Sequence, residues 1–514
     1  MKGVGMTVPA QPLPRTAGRP SRRAFLATPS LATPLGCVLP RSRTGGEPPY
    51  TAMGERVGEV GSNSAIVHTR LTRAPTRNNR GYTPPYCTHS LNYEQRHAVG
   101  LPEGMRVEDL EGACPGQAGW VRVRYGGDAA LADAAITPWA EATAKSDFTH
   151  QFVLNGLAPD TRYHYAVETR LRQTGPARTG AVGRFRTAPD AQVRSSVRFF
   201  VITGQDYACR DHLRGYRAYA AMKGLGADFL VSTGDSVYYD IDLPLARSVE
   251  LARYHWHRIY SQPLVVELFR TMSGYWLKDD HDSFEDDDWP GRPPERVAPM
   301  TYQDLAPIFR EQVPMGERTY RRARWGKGLE LWFVEVRDFR SPNPAPDGPE
   351  KTIWGAQQKA WLKRTLLESD ADFRVLVSPT CIVGPDRPGR EVFTPPQGGA
   401  DSHGDGGFAY EGREFRHWAR DQGLKNLVIV NGDRHWQYHS VDPETGLHEF
   451  GCGALTDHHS NPSPPRSQFQ RFVRGRGGFL SVAYDGAGRR PRLVMRFHDV
   501  DGREVYEFAY EVNA

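Results

Sequence analysis

From about residue 197 onward, short apolar runs alternate with segments of helical periodicity, and this alternation limits the possible folds more than any other feature of the chain. Apolar runs without polar alternation are typical of strands that are buried on both faces of a sheet. Such strands, separated by helices, predict an α/β domain over residues 197–514. The main runs are RFFVIT (198–203), ADFLVST (227–233), LELWFVEVRD (329–338), FRVLVSP (373–379) and LVIVNGD (427–433).

Residues 56–190 show a different pattern, in which short strand candidates are separated by turn residues. In WVRVRY (120–125) alternate residues are apolar, which predicts a strand with one buried face. The stretch LNGLAPDTRYHYAV (154–167) combines a strand, a proline turn and a Tyr-x-Tyr strand, as fibronectin-like sandwiches do. We therefore expect an N-terminal all-β, fibronectin- or immunoglobulin-like sandwich over residues 56–190, which packs on the α/β domain or shapes its substrate site.

Residues 1–55 have no periodicity and predict a signal with a disordered linker. The formal net charge of the chain is +5, and residues 1–40 contain five basic residues and no acid, so the remainder is near zero and gives no indication of a nucleic-acid partner. Arg22 and Arg23 precede a modestly apolar run that resembles a twin-arginine export signal, so we expect a periplasmic or extracellular protein; the alternative is a basic tail. Cys37 is a candidate lipidation site, and no apolar run is long enough to span a bilayer.

The cysteines give little support for a thiolate metal site. The chain has six, and none forms a CxxC pair, which argues against a zinc knuckle. If the protein is exported, Cys87 and Cys114 are candidates for a disulfide.

Four polar clusters come directly after predicted strands. Because ligands of open α/β sheets bind at the carboxyl ends of the strands, we expect these clusters to meet in one place. Carboxylates suit hard cations, and imidazole and phenolate suit transition metals, so the clusters predict a metal site rather than four solvated loops. The clusters are Gln205-Asp206, Asp235 with Tyr238 and Tyr239, Asp279-Asp280-His281-Asp282, and Asp433 with His435.

The third cluster lies in an unusually acidic stretch, KDDHDSFEDDD (278–288), with seven carboxylates among eleven residues. Like charges at this density repel one another, and burial would raise their pKa values. Either the stretch is a solvated loop or a bound cation supplies positive charge. The stretch by itself leaves both possibilities open.

The motifs GDSVY (234–238), DDHD (279–282) and GDRH (432–435), in this order, resemble those of the PhoD-like alkaline phosphatase family. That family belongs to the calcineurin-like metallophosphoesterases and is related at its site to purple acid phosphatases. The resemblance covers nearly the whole chain, including the Arg-Arg signal and a helix at GAQQKAWLKRTL (355–366). It implies a calcineurin-like α/β/β/α sandwich and an enzyme that hydrolyses phosphoric esters.

The resemblance also implies roles for individual residues. Asp235 would bridge two metals, Fe(III) and Ca²⁺, about 3.5–4 Å apart, which would activate a bound hydroxide. Tyr238 and His435 would bind the iron. Asp280 and Asp433 would bind the calcium. His281 would lie beside the phosphate and protonate the leaving group. Asp279 or Asp282 would support Asp280 and His281, and we expect residues 285–288 to be a solvated acidic edge.

The chain departs from the family at one position, where a cysteine iron ligand is usual and Gly204 stands here. Asp206 is our candidate replacement, and Cys209 is a further one. Arg337 is a candidate phosphate clamp, together with Arg340; the alternative is an ion pair with the acidic stretch. Two histidine sites are weaker candidates, namely His403 in a glycine-rich loop and the pair His458-His459 on the rim of the pocket.

Two other functions stay open at this point. One is hydrolysis of phosphodiesters or sulfuric esters on the same scaffold. The other is a non-catalytic, exported binding protein, against which Asp235, Asp433 and His435 argue. The sequence gives no indication of the oligomeric state.

Overall fold

The structure, a computed structural model, describes residues 46–84, 100–384, 401–404, 407–462, 466–486 and 490–511. The predicted export signal, Cys37 and Cys87 lie outside these residues, so export, lipidation and the Cys87–Cys114 disulfide stay predictions. Within the described residues, no helix has the length and apolar character that crossing a bilayer requires.

The described residues contain strands and helices in alternation, numbered here along the chain. The strands are β1 (Arg56–Gly58), β2 (Ser64–Arg70), β3 (Gly119–Gly126), β4 (Ala135–Ile136), β5 (Ala140–Ala142), β6 (Thr149–Asn155), β7 (Arg162–Arg170), β8 (Arg178–Thr179), β9 (Gly183–Arg186), β10 (Val197–Ile202), β11 (Phe229–Thr233), β12 (Ser273–Leu277), β13 (Arg321–Trp325), β14 (Leu329–Phe333), β15 (Phe373–Ser378), β16 (Leu427–Asn431), β17 (Gln437–Val441), β18 (His448–Cys452), β19 (Gln470–Arg474), β20 (Phe479–Asp485), β21 (Arg492–His498) and β22 (Glu504–Glu511). The α-helices are α1 (Arg217–Leu225), α2 (Val249–Tyr260), α3 (Pro263–Phe269), α4 (Tyr302–Gln312), α5 (Gly355–Glu368) and α6 (Ala409–Asp421). Short 3₁₀ turns cover Val107–Asp109 and Ala144–Ser146.

Two large sheets form the centre of the molecule. The first has nine strands in the order β22-β21-β20-β10-β11-β12-β1-β2-β6, and the second has seven in the order β13-β14-β15-β16-β18-β17-β19. Strands β10, β11 and β12 are mutually parallel, and so are β14, β15, β16 and β18. The α/β class predicted from the apolar runs is therefore confirmed.

The side chains of the central strands alternate between two cores, because successive residues of a strand point to opposite faces. In β10, Phe199 and Val201 pack in a core shared with β14, β15 and β16, whereas Phe200 and Ile202 pack in a core formed with α1 to α4. The second sheet behaves in the same way, with its outer face packed on α5 and α6. The layers therefore follow the order helices, sheet, sheet, helices, as expected for a mixed α/β fold.

The expectation of a separate N-terminal β-sandwich is not confirmed. Strands β3 and β7 pair in a smaller sheet, and Val121 and Val123 are buried on one face as their alternation predicted. However, β1, β2 and β6 belong to the nine-stranded sheet, and β1 pairs in parallel with β12 through Gly58 and Gly274. This pairing covers backbone groups of β12 that a sheet edge would leave open. Glycine is needed at 58, where a Cβ atom would lie 2.9 Å from the Gly274 carbonyl oxygen.

Candidate metal centre

The carboxyl ends of the central strands converge on a cavity of about 190 Å³. Six of the eight residues predicted for the site lie in its wall, drawn from the loops after β11, β12 and β16. The two sheets therefore contribute to one site, as the strand-end clusters predicted. The lining residues are Asp235, Tyr238, Ile241, Asp280, His281, Asp286, Asp433, Arg434, His435, Trp436, His459 and Asn461.

The two Gly-Asp turns position their carboxylates through the same backbone conformation. Asp235 has φ 53° and Asp433 has φ 56°, in the left-handed region that aspartate tolerates better than most residues. Each preceding glycine lies against a neighbouring element, since a Cβ atom at Gly234 would be 2.4 Å from Asp279 Cβ, and one at Gly432 would be 2.4 Å from Thr233 Oγ1. The glycines thus let the loops approach closely, which is why the motif is readable in the sequence.

Asp235 is a buried carboxylate that lies close to other charged groups of the site. Its Oδ2 atom accepts a hydrogen bond from Tyr238 Oη at 2.9 Å and lies 3.3 Å from His435 Nε2. Its Oδ1 atom is buried and has no hydrogen-bond partner among the described residues. Burial, together with repulsion from Asp280, raises the pKa of Asp235 to about 7 although His281 opposes the shift. A cation beside Oδ1 would satisfy this atom and reverse the shift, so the donor set fits a metal ion.

His459 lies beside Tyr238 and His435, although the sequence predicted only that it lies on the rim of the pocket. Its Nε2 atom is 2.7 Å from Tyr238 Oη, and its ring centroid is 4.1 Å from that of His435. Its Nδ1 atom is 3.3 Å from Oδ2 of the buried Asp206. Asp206 and His459 are 253 positions apart in the chain. The sequence signals were the His458-His459 pair itself and Gly204, whose missing side chain leaves room for a distant group.

Asp206 lies behind His459 rather than in the cavity wall of the described residues. Its Oδ1 atom accepts hydrogen bonds from the backbone amides of Ala208 at 2.7 Å and Cys209 at 3.1 Å. Burial, Asp206 and Asp242 all raise the pKa of the Cys209 thiol. Asp206, Cys209 and His459 nevertheless have ligand atoms close enough to share an ion.

His281 is held on the opposite side of the cavity. Its Nδ1 atom is 2.7 Å from Oδ1 of the buried Asp240, its Nε2 atom is 3.6 Å from Asp286, and its ring packs on that of Tyr238 at 4.5 Å. Burial favours the neutral ring, but Asp240 and Asp280 outweigh it and raise the pKa of His281 well above its ordinary value. Asp240 thus orients the imidazole of His281, a role that no strand-end cluster revealed.

Arg337 forms an ion pair with the acidic stretch, which was the alternative to its predicted role as a phosphate clamp. It is fully buried, and it donates to Asp279 Oδ1 at 2.6 Å and to Asp401 Oδ2 at 3.0 Å. Arg340 donates to the Asp401 carbonyl at 2.7 Å. Neither lines the cavity of the described residues, where Arg434 is the arginine present.

Two other expectations, for residues 285–288 and for His403, change because side chains expected at the surface are buried. The expected solvated edge at residues 285–288 is wrong for two of its four members, since Glu285 accepts three backbone amides and Asp288 lies beside Arg337. Asp286 lines the cavity. His403 is buried beside Trp354 and pairs with Glu411 at 2.9 Å, so it belongs to a packing core.

Asp282 connects two loops of the cavity through their backbone amides. It accepts hydrogen bonds from the amide of Ser236 at 3.0 Å and from that of Asp279 at 2.6 Å. It therefore ties the loop after β11 to the loop after β12.

Comparison with solved structures shows the fold. The chain is similar to the structure of PhoD, with a TM-score of 0.67 and 16% identity over 90% of each chain. It is also similar to purple acid phosphatase PPD1 from yellow lupin (Lupinus luteus) seeds, with a TM-score of 0.56 and 11% identity over 88% of this chain and 73% of the other. No curated protein sequence matches the chain significantly.

Family models cover most of the chain. Residues 38–189 match the PhoD-like phosphatase, N-terminal domain, so the region whose strands join the nine-stranded sheet is an N-terminal domain of that family. Residues 199–476, more than half of the chain, match the PhoD-like phosphatase family and include every strand-end cluster described above. The chain therefore belongs to the PhoD-like phosphatase family and is a metal-dependent phosphoric ester hydrolase.

Proposed function

We propose that the chain hydrolyses phosphoric esters at a two-metal centre of iron(III) and calcium. The unpaired, buried Oδ1 atom of Asp235, placed among the other predicted ligands, carries this proposal. Tyr238 and His435 would hold the iron, since phenolate and imidazole suit a transition metal. Asp280 and Asp433 would hold the calcium, which prefers oxygen ligands. Asp235 would serve both.

Bound metals of this kind polarise a phosphoryl oxygen and lower the pKa of a bound water. The residues of the chain would orient the metal-binding carboxylate and supply a proton to the leaving group. Tyr238 Oη and His435 Nε2 both lie close to Asp235 Oδ2, and these contacts hold the carboxylate in one orientation. With Nδ1 facing Asp240, His281 would carry a proton at Nε2 and deliver it to the leaving-group oxygen.

Removal of metal is expected to abolish hydrolysis. The purified protein should contain iron and calcium by elemental analysis, and it should hydrolyse p-nitrophenyl phosphate or bis(p-nitrophenyl) phosphate. Prolonged dialysis against a chelator should remove both the metals and the activity, and adding back the metals should restore the activity. Full activity in metal-free protein would refute the proposal, and faster hydrolysis of p-nitrophenyl sulfate than of either phosphate would show that the substrate class is wrong.

His281→Gln is expected to slow hydrolysis by about 10²–10⁴-fold, the usual contribution of a general acid. The loss should be larger for an alkyl phosphate than for p-nitrophenyl phosphate, because a poor leaving group needs the proton more. The measurement is kcat with both substrates. His417→Gln, on α6 and paired with Glu444 at the surface, is the matched control and should keep full activity. Equal losses with both substrates would contradict proton donation by His281.

A further inference from the structure

We propose that His459 is a metal ligand through Nε2 and that Asp206 is the carboxylate that positions it. This inference rests on the proposed metal centre and adds a donor to it. It also revises the prediction that Asp206 itself binds the metal in place of the side chain missing at Gly204.

The placement of the imidazole supports a direct role. Its Nε2 atom lies 2.7 Å from Tyr238 Oη, and the phenol oxygen lies 2.9 Å from Asp235 Oδ2. His435 Nε2 is 3.3 Å from both of these oxygens. Two imidazole nitrogens, a phenol and a carboxylate thus converge on one point of the cavity, which is the donor set that suits iron.

The surroundings of Asp206 fix the orientation of the ring. With one carboxylate oxygen occupied by the amides of Ala208 and Cys209, the other lies 3.3 Å from His459 Nδ1. Asp206 is 2% exposed, so it is shielded from competing water. A carboxylate that accepts from one ring nitrogen leaves the lone pair of the other directed outward, and metal-binding histidines are commonly held in this way. The lone pair of His459 Nε2 is therefore directed at Tyr238 and the cavity.

Gly204 is the third part of the arrangement. Its φ is +67°, and a Cβ atom built there would lie 3.2 Å from His459 Cδ2 and 3.3 Å from Ala454. A larger side chain at 204 would compete with the imidazole for the same space. The absence of a side chain at Gly204 therefore allows the imidazole of His459, from the loop after β18, to pack beside the end of β10.

The test is metal retention, measured apart from activity. His459→Ala and the milder His459→Gln are purified with wild type, and iron and calcium per chain and the visible absorption spectrum are recorded. Both variants should bind iron at least about 10–100-fold more weakly in competition with a chelator. Their phenolate-to-iron absorption band should shift or disappear. His458→Ala, the exposed neighbour, is the matched control and should retain metal and spectrum.

Asp206 variants separate positioning from ligation. Asp206→Asn keeps an acceptor for His459 Nδ1, so it should retain iron with reduced affinity, whereas a direct ligand role predicts a loss as large as that of His459→Ala. Cys209→Ser should retain both metals. Wild-type metal content and spectrum in both His459 variants would overturn the inference, as would loss of iron on removing Cys209 alone. A wild-type protein without metal would instead refute the proposed function.

Discussion

Asp235→Asn is expected to abolish hydrolysis and to release metal, with little change in the fold. The substitution removes the charge shared by the two proposed metals and keeps the shape of the side chain. Asparagine tolerates the left-handed backbone that Asp235 adopts at φ 53°, so the turn should persist. Loss of an indirect partner of a metal ligand costs about 10–100-fold, and loss of the bridging ligand should exceed the upper end of that range. The measurements are kcat, metal content and circular dichroism.

The matched control is Asp160→Asn. Asp160 has a similar backbone conformation, with φ 48°, but it is exposed and pairs with Arg186 away from the site. Asp160 is a better control than Asp287, whose carboxylate lies close enough to those of Asp280 and Asp286 to share an ion. If Asp235→Asn retained both metals and near wild-type kcat, the assignment of the bridging carboxylate would be wrong.

Arg337→Met is expected to destabilise the protein by about 3–5 kcal/mol, the cost of removing one partner from a buried ion pair. Methionine fills much of the space of the arginine stem, but it leaves Asp279, Asp401 and Asp288 without their shared cation. Burial raises the pKa of Asp288 to about 8 even in the presence of Arg337. Removing the arginine would therefore leave buried carboxylates with less compensating positive charge. The measurement is the thermal unfolding midpoint of the purified protein.

Arg194→Met provides the comparison. Arg194 pairs with Asp372 at 2.8 Å, but half of its side chain is exposed, so its loss should cost no more than about 1 kcal/mol. The pair of variants also separates the two predicted roles of Arg337. A phosphate clamp would give a large loss of activity with an unchanged unfolding midpoint, and that result would contradict the structural role.

The sequence predicted the central strands well because their signal is local. A strand buried on both faces needs an uninterrupted apolar run, and RFFVIT and LVIVNGD each end within two residues of an observed strand end. The Gly-Asp turns were readable for a similar reason, since close approach of the backbone requires glycine at that position. Six of the predicted site residues line one cavity as a result.

The expectations that were wrong or were not confirmed depended on distant partners. The solvated edge at 285–288 was inferred from charge density, but Glu285 is buried because backbone amides of residues 295–297 satisfy it. The separate N-terminal sandwich was inferred from strand spacing, but spacing does not reveal that β1 pairs with β12. In both cases the deciding partner lies outside the segment that was interpreted.

The sequence by itself determined the α/β class, the strand ends and the carboxylates and imidazoles that follow them, because each is encoded by neighbouring residues. Only the tertiary structure decided that Asp240 orients His281, that Arg337 pairs with buried acids and that His459 lies beside Gly204. These contacts join residues 41, 58 and 255 positions apart in the chain. Their formation depends on the packing of two sheets and their loops, and no local pattern of residue types records which distant side chain fills a given space.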